Sequence, residues 1–332
     1  MKGYTIVILL MAGLLLLLPL PALPSDEAGE PPTSQTESRP TQSDTDGGEK
    51  PSAAECFRIL VGDNVVELTE REFLIRTLAF EMSPTYHEEA LKAQAVAAYT
   101  YYVRRRQAQQ TQPDPTLQGA DFVTPDDTFP GNYTTIGLKA RWGEQYDAYY
   151  NKICRAVDAV LGKTVTYEGA LIDACYFSLS NGSTESAAVV WGAEIPYLQS
   201  VASPGDRLAP DYESRVTFTA AQLKEKLTAA HPQLSFGEDP AAWLGSPTLS
   251  AAGTVTALPV GGQTLTGGQV RTALALRSAC FETKFEGDTF VFTVHGYGHG
   301  VGMSQYGADY LARQGYNYEE ILRYYYTDVT VS

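Results

Sequence analysis

One carboxylate of this 332-residue chain stands where a side chain could exchange a proton with a ligand. Glu81 ends a helical pattern of apolar residues, and Pro84, three positions later, pushes the residue before it out of the α region. The dipole at the end of a helix disfavours a negative charge, and the apolar neighbours Phe80 and Met82 favour partial desolvation. Both influences favour the protonated carboxyl that a general acid needs. The start of the next helix acts in the opposite direction, and a solvated helix-end glutamate is the alternative interpretation.

A glycine-rich stretch, residues 295–308 with the sequence HGYGHGVGMSQYGA, is the second candidate for chemistry. Alternate glycines let the backbone adopt positive φ angles and approach a ligand closely, which is not a core pattern. We predict a rigid loop that presents His299, Ser304, Gln305 and Tyr306 to a cleft. The alternative is a turn whose imidazoles only satisfy backbone groups.

Neither a metal site nor another cofactor is predicted. His295 and His299 have a spacing seen among metal ligands, but that spacing puts both on one face only in a helix, which the glycines disfavour. The 4 cysteines form no C-x-x-C pair. A disulfide between Cys154 and Cys175 is one possibility, and small buried apolar residues are the favoured alternative. The glycines are not followed by a nucleotide-binding βαβ unit.

A third polar stretch, residues 178–185 with the sequence SLSNGSTE, is dense in hydroxyls and amides. Ser180 and Asn181 are predicted to hydrogen-bond a polyhydroxylated ligand. A plain polar turn is the alternative interpretation.

Two predicted helices must position Glu81. Thr69 and Glu72 form a predicted capping box at the start of the first helix, which should end near Met82. Thr85 and Glu88 form a second predicted capping box, and the following residues 90–103 are apolar or small on almost every side. The second helix is therefore predicted to be buried.

The rest of the folded part alternates irregularly between strands and helices. Residues 107–136 are polar and rich in turn formers, so a long loop is predicted there. Strand patterns occur at residues 57–61, 65–68, 163–167, 171–180, 249–265, 279–282 and 289–294, and from residue 216. Helical patterns occur at residues 144–161, 267–276, 305–314 and 318–325, and from a cap at Thr219 to residue 230. We predict an α+β fold of mixed helices and antiparallel strands, in one elaborate domain or two closely packed lobes around a cleft.

The first 55 residues lack the apolar pattern of a folded core. Residues 1–24 form a predicted N-terminal membrane anchor or signal sequence, and residues 25–55 an acidic stalk rich in Pro, Ser and Thr. A lysine precedes the apolar run, so residues 56–332 are expected outside the cytoplasm at the cell membrane. The formal net charge of −15 argues against nucleic acid as a partner.

Four motifs together give the chain a family resemblance. They are EMSP followed by EALKAQAVAAYTYY at residues 81–102, YFSLSNGSTES at residues 176–186, GYGHGVGMSQYGA at residues 296–308 and ILRYYYTDV at residues 321–329. In order and spacing the chain resembles the SpoIID/LytB family over essentially all of residues 56–332.

The resemblance implies a lytic transglycosylase of peptidoglycan. Such an enzyme cleaves glycan strands whose stem peptides have been removed and leaves 1,6-anhydro-N-acetylmuramic acid ends during sporulation engulfment. The family's catalytic glutamate corresponds to Glu81. Implied partners are a cell-wall amidase and a multi-spanning membrane protein. Because some relatives are amidase enhancers, a non-catalytic glycan-binding enhancer of an amidase is the alternative.

Two departures from the family pattern bear on the site. Many members carry an arginine where this chain has Tyr99, and Lys92 or Arg104 are candidates to supply the missing cation near Glu81. Some members hold a Cys/His cluster after the long helix, whereas residues 121–136 contain neither residue type, which argues against zinc. The complete predicted substrate-binding set is Lys92, Tyr99, Ser180, Asn181, His299, Ser304, Gln305 and Tyr306.

Overall fold

Helices and short strands alternate irregularly in the computed structural model, which describes residues 56–123 and 133–332. The helices are α1 (Glu70–Glu81), α2 (Glu88–Thr111), α3 (Thr135–Trp142), α4 (Tyr146–Val160), α5 (Ala187–Trp191), α6 (Ala220–Ala230), α7 (Gly267–Leu274), α8 (Gln305–Arg313) and α9 (Tyr318–Tyr325). The strands are β1 (Cys56–Val61), β2 (Asn64–Thr69), β3 (Phe122–Val123), β4 (Val165–Tyr167), β5 (Ala170–Leu171), β6 (Tyr176–Phe177), β7 (Glu213–Thr219), β8 (Thr248–Leu249), β9 (Val255–Val260), β10 (Gln263–Leu265), β11 (Phe281–Glu286), β12 (Thr289–His295), β13 (Met303–Ser304) and β14 (Thr330–Val331). The fold is α+β, which confirms the predicted class.

Helix α2 forms the centre of the larger of two hydrophobic cores. Its small side chains Ala90, Ala93 and Ala97 are fully buried, as predicted for this helix, and they let α1, α4, α8 and α9 pack closely around it. The sheets around this core have the strand orders β2-β1-β3, β14-β4-β5 and β13-β6. We call this part of the molecule the large lobe.

A second core lies in the segment between β7 and β12, which we call the small lobe. Its antiparallel sheets have the orders β11-β12-β7 and β10-β9-β8, and helices α6 and α7 pack against them. Alternate residues of the strands, among them Phe218, Phe290 and Phe292, fill this core. The two cores share no buried residue.

The first predicted helix has the predicted ends but only half of the predicted capping box. The Thr69 hydroxyl accepts a hydrogen bond from the Glu72 N–H at 3.1 Å, and the helix ends at Glu81 with Met82 as its C-cap. The Glu72 carboxylate pairs with Arg76, one turn later, instead of returning to the backbone of Thr69.

The capping box predicted for the second helix is wrong. His87, not Thr85, is the N-cap of α2, and its Nδ1 accepts a hydrogen bond from the Glu89 N–H at 3.3 Å. The Thr85 hydroxyl lies 2.8 Å from the Ser83 hydroxyl within the turn that follows Glu81, so it is engaged before the helix begins.

The long loop predicted at residues 107–136 is wrong in its first and last parts, while residues 124–132 of it lie outside the described residues. Helix α2 continues to Thr111, β3 adds a parallel strand to β1, and α3 begins at Thr135. Its first residues are polar because the last turns of α2 face solvent, and polar composition alone does not distinguish an exposed helix from a loop.

The predicted hairpin at residues 163–180 is shorter than expected. Strands β4 and β5 pair around Glu168 and Gly169, but the second strand ends at Leu171. Residues Tyr176 and Phe177 pair instead with β13, far away in sequence, because a two-residue strand gains its hydrogen bonds from whichever edge the tertiary structure offers.

Cys154 and Cys175 are both free, so the possible disulfide is absent. The predicted anchor and stalk lie outside the described residues. In the part of the chain that is described, no helix has the length and apolar character to cross a membrane.

Candidate functional site

Both oxygens of the Glu81 carboxylate face hydrogen-bond donors from distant parts of the chain. The Tyr176 hydroxyl donates to Oε1 at 3.2 Å, and the Gln305 amide donates from Nε2 to Oε2 at 3.3 Å. Both distances are at the long end for hydrogen bonds, as is common for catalytic contacts before a substrate is bound. The carboxylate is therefore oriented by two neutral side chains and is partly exposed to solvent.

The pairing of β6 with β13 brings these two donors together. The strands are parallel, with Met303 opposite Tyr176 and Ser304 opposite Phe177, so Gln305 follows directly as the first residue of α8. Gly302 makes the pairing possible: it adopts a φ of +81°, and a Cβ at this position would lie 2.1 Å from the Cys175 carbonyl oxygen. The glycine-rich stretch thus approaches protein backbone closely at this point.

The turn after Glu81 is clamped by α4 and α8. The Lys152 ammonium donates to the carbonyl oxygens of Pro84 at 2.9 Å and Tyr86 at 2.5 Å. The Asp309 carboxylate accepts from the His87 N–H at 2.6 Å. Burial lowers the pKa of Lys152, while the carbonyl oxygens of Pro84 and Tyr86 each accept one of its hydrogen bonds. These contacts fix the direction in which Glu81 leaves its helix.

Tyr176 is suited to donate to a carboxylate. Burial, together with the nearby Glu81 charge, holds the pKa of this phenol well above its ordinary value, so the hydroxyl keeps its proton. The sequence interpretation did not assign a role to Tyr176. Its position at the start of the YFSLSNGSTES motif, two residues before the polar turn, was the one available signal.

The predicted loop residue Ser304 and the turn residue Ser180 meet at a buried carboxylate. Asp206 is 0% exposed and accepts hydrogen bonds from the Ser180 N–H and the Ser304 hydroxyl, both at 2.9 Å. Burial raises the pKa of Asp206, and these hydrogen bonds act in the opposite direction. Because Ser304 also caps α8, Asp206 holds the start of the helix that carries Gln305. No sequence signal singled out this aspartate.

The other residues of the predicted turn and loop have contacts of their own. The Asn181 amide donates to the Ala252 carbonyl at 2.6 Å and so connects the two lobes. The Tyr306 ring packs edge-on against Tyr86 at 6.3 Å, and its hydroxyl donates to the Leu208 carbonyl at 3.4 Å. A substrate-binding role for these side chains stays a prediction.

His299 lies on the side of β6 away from Tyr176's hydroxyl. Its Nδ1 accepts from the Val301 N–H at 3.1 Å, so Nε2 carries the proton and donates to the Tyr176 carbonyl at 3.1 Å. Burial, and then the nearby Arg271 charge, lower the pKa of His299 from 6.5 to about 4. The imidazole is therefore neutral near pH 7. His295 faces Glu213 instead, at 3.3 Å, so the two histidines occupy separate environments.

This neutral histidine predicts a pH-dependent stability. Between pH about 6.5 and about 4 the unfolded chain protonates at His299 and the folded chain does not, so the free energy of unfolding falls as the pH is lowered. We expect His299→Gln, which keeps a donor and an acceptor, to lose this contribution. The difference in urea unfolding free energy, wild type minus variant, should fall by up to about 1.4 kcal/mol per pH unit in this window. Parallel curves for the two proteins would contradict the assignment.

Lys92 and Tyr99 bind the carboxylates of Glu89 and Glu70. The Lys92 ammonium binds the Glu89 carboxylate at 2.7 Å. The Tyr99 hydroxyl donates to Glu70 at 2.7 Å, and Arg106 binds the other oxygen of that carboxylate at 2.7 Å. Position 99 therefore faces the first turn of α1 instead of its last residue. The exchange of the family arginine for tyrosine changes the surroundings of Glu70.

Arg104, the other candidate cation, also has a carboxylate of its own. Its guanidinium lies 3.7 Å from the largely buried carboxylate of Asp173. Within residues 56–123 and 133–332, no group of three or more His, Cys, Asp or Glu side chains is arranged to hold a metal ion.

The chain is similar to proteins of one family over nearly all of its length. The family model described as "SpoIID: Stage II sporulation protein" matches residues 62–167. Stage II sporulation protein D of Bacillus subtilis (strain 168) is 36% identical over 341 residues, which cover 100% of this chain and 96% of that protein. The protein of the same name from Bacillus amyloliquefaciens is 39% identical over 270 residues, covering 81% of this chain and 76% of that protein.

A more distant relative has a different name. It is the amidase enhancer of Bacillus subtilis (strain 168), 25% identical over 303 residues, which cover 76% of this chain and 39% of that protein. The two sporulation proteins are more similar to this chain than the enhancer is. Their identity and coverage confirm the resemblance seen in the motifs, and the chain belongs to the SpoIID family of stage II sporulation proteins.

Proposed function

We propose that this chain is a lytic transglycosylase that cleaves peptide-free peptidoglycan glycan strands, with Glu81 as both acid and base. The observation that carries the proposal is the carboxylate at the end of α1, oriented through both oxygens by Tyr176 and Gln305. General acid–base catalysis requires such a group to be held in place, partly shielded and within reach of a ligand. Membership of the SpoIID family supports the choice of glycan as the substrate.

The proposed reaction needs one carboxyl group. Protonated Glu81 donates its proton to the glycosidic oxygen as the bond between this oxygen and C1 of N-acetylmuramic acid breaks. The resulting carboxylate then takes the proton of the C6 hydroxyl of the same sugar, and the C6 oxygen bonds to C1. The product ends in a 1,6-anhydro ring, Glu81 regains its proton, and no water is consumed.

The two neutral donors fit both halves of this cycle. A carboxylate that accepts hydrogen bonds from a phenol and an amide is stabilised while it waits to act as a base. Both donors are neutral side chains that can stay in place while the carboxyl group loses and regains its proton. A usual glycoside hydrolase would instead use a second carboxylate at about 5–10 Å to activate water or to attack C1.

Tyr176→Phe tests the orientation of the carboxylate. We expect strand cleavage to fall about tenfold, because one hydrogen bond to a charged group contributes about 1.5 kcal/mol. Turnover of peptide-free strands is measured by chromatography of the products. Tyr324→Phe is the matched control, since this hydroxyl donates at 2.8 Å to the Ala202 carbonyl and not to Glu81. Equal cleavage rates for wild type and Tyr176→Phe would show that the Tyr176 hydroxyl does not orient Glu81 for cleavage.

The decisive experiment identifies the ends of the products. The purified full-length chain is incubated with peptide-free glycan strands, and the fragments are weighed by mass spectrometry. 1,6-anhydro ends are lighter by one water than the reducing ends left by a hydrolase. Anhydro ends would support the proposal, and hydrolytic ends or intact strands would refute it.

The amidase enhancer among the relatives favours a second candidate function. In this alternative the chain binds glycan and stimulates a separate cell-wall amidase without cleaving the strand itself. Intact strands in the product analysis, together with faster peptide release when an amidase is added, would support the alternative.

We propose the cellular location and the partners of the chain from the same family membership. The chain acts during sporulation engulfment, held at the cell membrane by its N-terminal segment with the lobes outside the cytoplasm. A cell-wall amidase, which would supply the peptide-free strands, and a multi-spanning membrane protein are its proposed partners. Fractionation of sporulating cells followed by crosslinking tests both the location and the partners.

A further inference from the structure

Two arginines of the small lobe, Arg271 and Arg277, lie near Tyr297. The Arg277 guanidinium stands over the Tyr297 ring, 4.6 Å from its centre. Arg271, in the last turn of α7, is hydrogen-bonded to the residue that precedes Arg277. Among the residues that the structure describes, neither guanidinium forms an ion pair with Asp or Glu, although other arginines of the chain do.

Both arginines are partly shielded from water. The Arg277 Nε is buried and has no hydrogen-bond partner, and the Arg271 Nε donates to the Leu276 carbonyl at 3.3 Å. Burial lowers the pKa of Arg271. Shielded charges in proteins are normally paired, because leaving water without a counter-charge is strongly unfavourable. An anion from outside the described chain would supply the missing counter-charge.

Aromatic rings around His299, which feels the Arg271 charge, suggest what such an anion would be attached to. The His299 ring lies 5.4 Å from the Trp191 ring and 5.6 Å from the Phe177 ring. Trp191 and His299 are partly exposed. An aromatic wall beside cations suits a ring-shaped ligand with one negative group, since binding sites combine apolar walls with a few polar anchors. A sugar that carries a carboxylate has this chemistry.

We propose that Arg271 and Arg277 bind the free lactyl carboxylate of a muramyl residue in the glycan strand. This inference rests on the proposed function, which supplies the glycan. In an intact strand the lactyl group is joined to the stem peptide through a neutral amide. Removal of the peptide by hydrolysis leaves a carboxylate, and guanidinium groups bind carboxylates through paired, charge-assisted hydrogen bonds. The arginine pair therefore distinguishes peptide-free strands from intact ones.

The arginine pair acts at a different sugar from the one that is cleaved. Neighbouring side chains of a strand point to opposite faces, and here Tyr176 reaches Glu81 while Phe177 packs against His299 on the arginine side. The pair thus contributes to binding of the strand and not to the chemical step. Its loss should raise KM for peptide-free strands and leave kcat unchanged.

Binding by a chain that cannot cleave gives the most direct test. In full-length Glu81→Gln protein, calorimetry compares soluble peptide-free strands with the same strands after their lactyl carboxylates are converted to amides. We expect the carboxylate form to bind about tenfold more tightly, and we expect Arg271→Gln with Arg277→Gln to abolish the preference. Arg215→Gln is the control, because this exposed small-lobe arginine pairs with Glu286. The Arg215→Gln protein should keep the preference for the carboxylate form. Equal affinities in the parent, or a preference that survives in the double variant, would overturn the proposal.

Product analysis separates failure of this inference from failure of the proposed function. Hydrolytic ends combined with an arginine-dependent preference for the carboxylate would refute the transglycosylase reaction and support the binding site. Anhydro ends without that preference would refute the binding site alone. In the cleaving protein, a tenfold higher KM with unchanged kcat in the double variant is the expected kinetic result, and a lower kcat with unchanged KM would count against it.

Discussion

Glu81→Gln is expected to reduce strand cleavage by about 100-fold to 10,000-fold, the range in which a positioned acid or base contributes. Glutamine has the same size and can still accept a hydrogen bond from the Tyr176 hydroxyl, but it cannot deliver a proton to the leaving oxygen. It also cannot take one from the C6 hydroxyl. Both halves of the proposed cycle are lost in one substitution, and turnover of peptide-free strands measures the loss.

The loss of cleavage in Glu81→Gln reports on the chemical step only if the stability of the protein and its binding of the strands are unchanged. Glu81 is partly exposed at the end of α1, so its replacement should change the free energy of unfolding by less than about 1 kcal/mol. Affinity for the strands should be retained. Glu88→Gln is the matched control, since this nearby glutamate begins α2 and pairs with Lys92. Cleavage at the wild-type rate by Glu81→Gln would exclude Glu81 as the acid and base.

Gly302→Ala is expected to have the largest effect on stability. Alanine is strained by about 1–2 kcal/mol at the positive φ of this residue, and overpacking adds about 1–3 kcal/mol. The added Cβ would lie 2.1 Å from the Cys175 carbonyl oxygen, which already accepts hydrogen bonds from the Met303 N–H at 3.0 Å and the Tyr326 hydroxyl at 2.8 Å. Relief requires β13 to move from β6, which would displace Gln305 from Glu81.

A second glycine separates the clash from the backbone strain. Gly315 has a φ of +97°, and a Cβ added there would meet no other atom within 4 Å, so Gly315→Ala should cost only the strain of about 1–2 kcal/mol. Urea unfolding of both variants, with cleavage assayed below the transition, gives the comparison. Equal losses of stability in the two variants, or full activity in Gly302→Ala, would show that β6 and β13 tolerate separation.

Local patterns predicted several of the elements well. The end of α1, the burial of α2 and the cap at Thr219 depend on residues within one or two turns of each other, so they can be read along the chain. The failures at Thr85 and at residues 107–136 have one cause in common. In both segments the polar residues are compatible with more than one local structure, such as a helix cap, an exposed helix or a turn. Contacts with distant parts of the chain decide which of these structures forms.

The sequence by itself determined the α+β class, the place of Glu81 at a helix end and the unusual glycine-rich stretch, because these follow from propensity, periodicity and spacing. Only the tertiary structure decided which groups surround the carboxylate. Tyr176 and Gln305 are 95 and 224 positions from Glu81, and Asp206 joins residues 26 and 98 positions away. The Tyr99 hydroxyl donates its hydrogen bond to the Glu70 carboxylate. Hydrogen-bond partners at such separations are set by how strands and helices pack, and packing leaves no short-range signature in the chain.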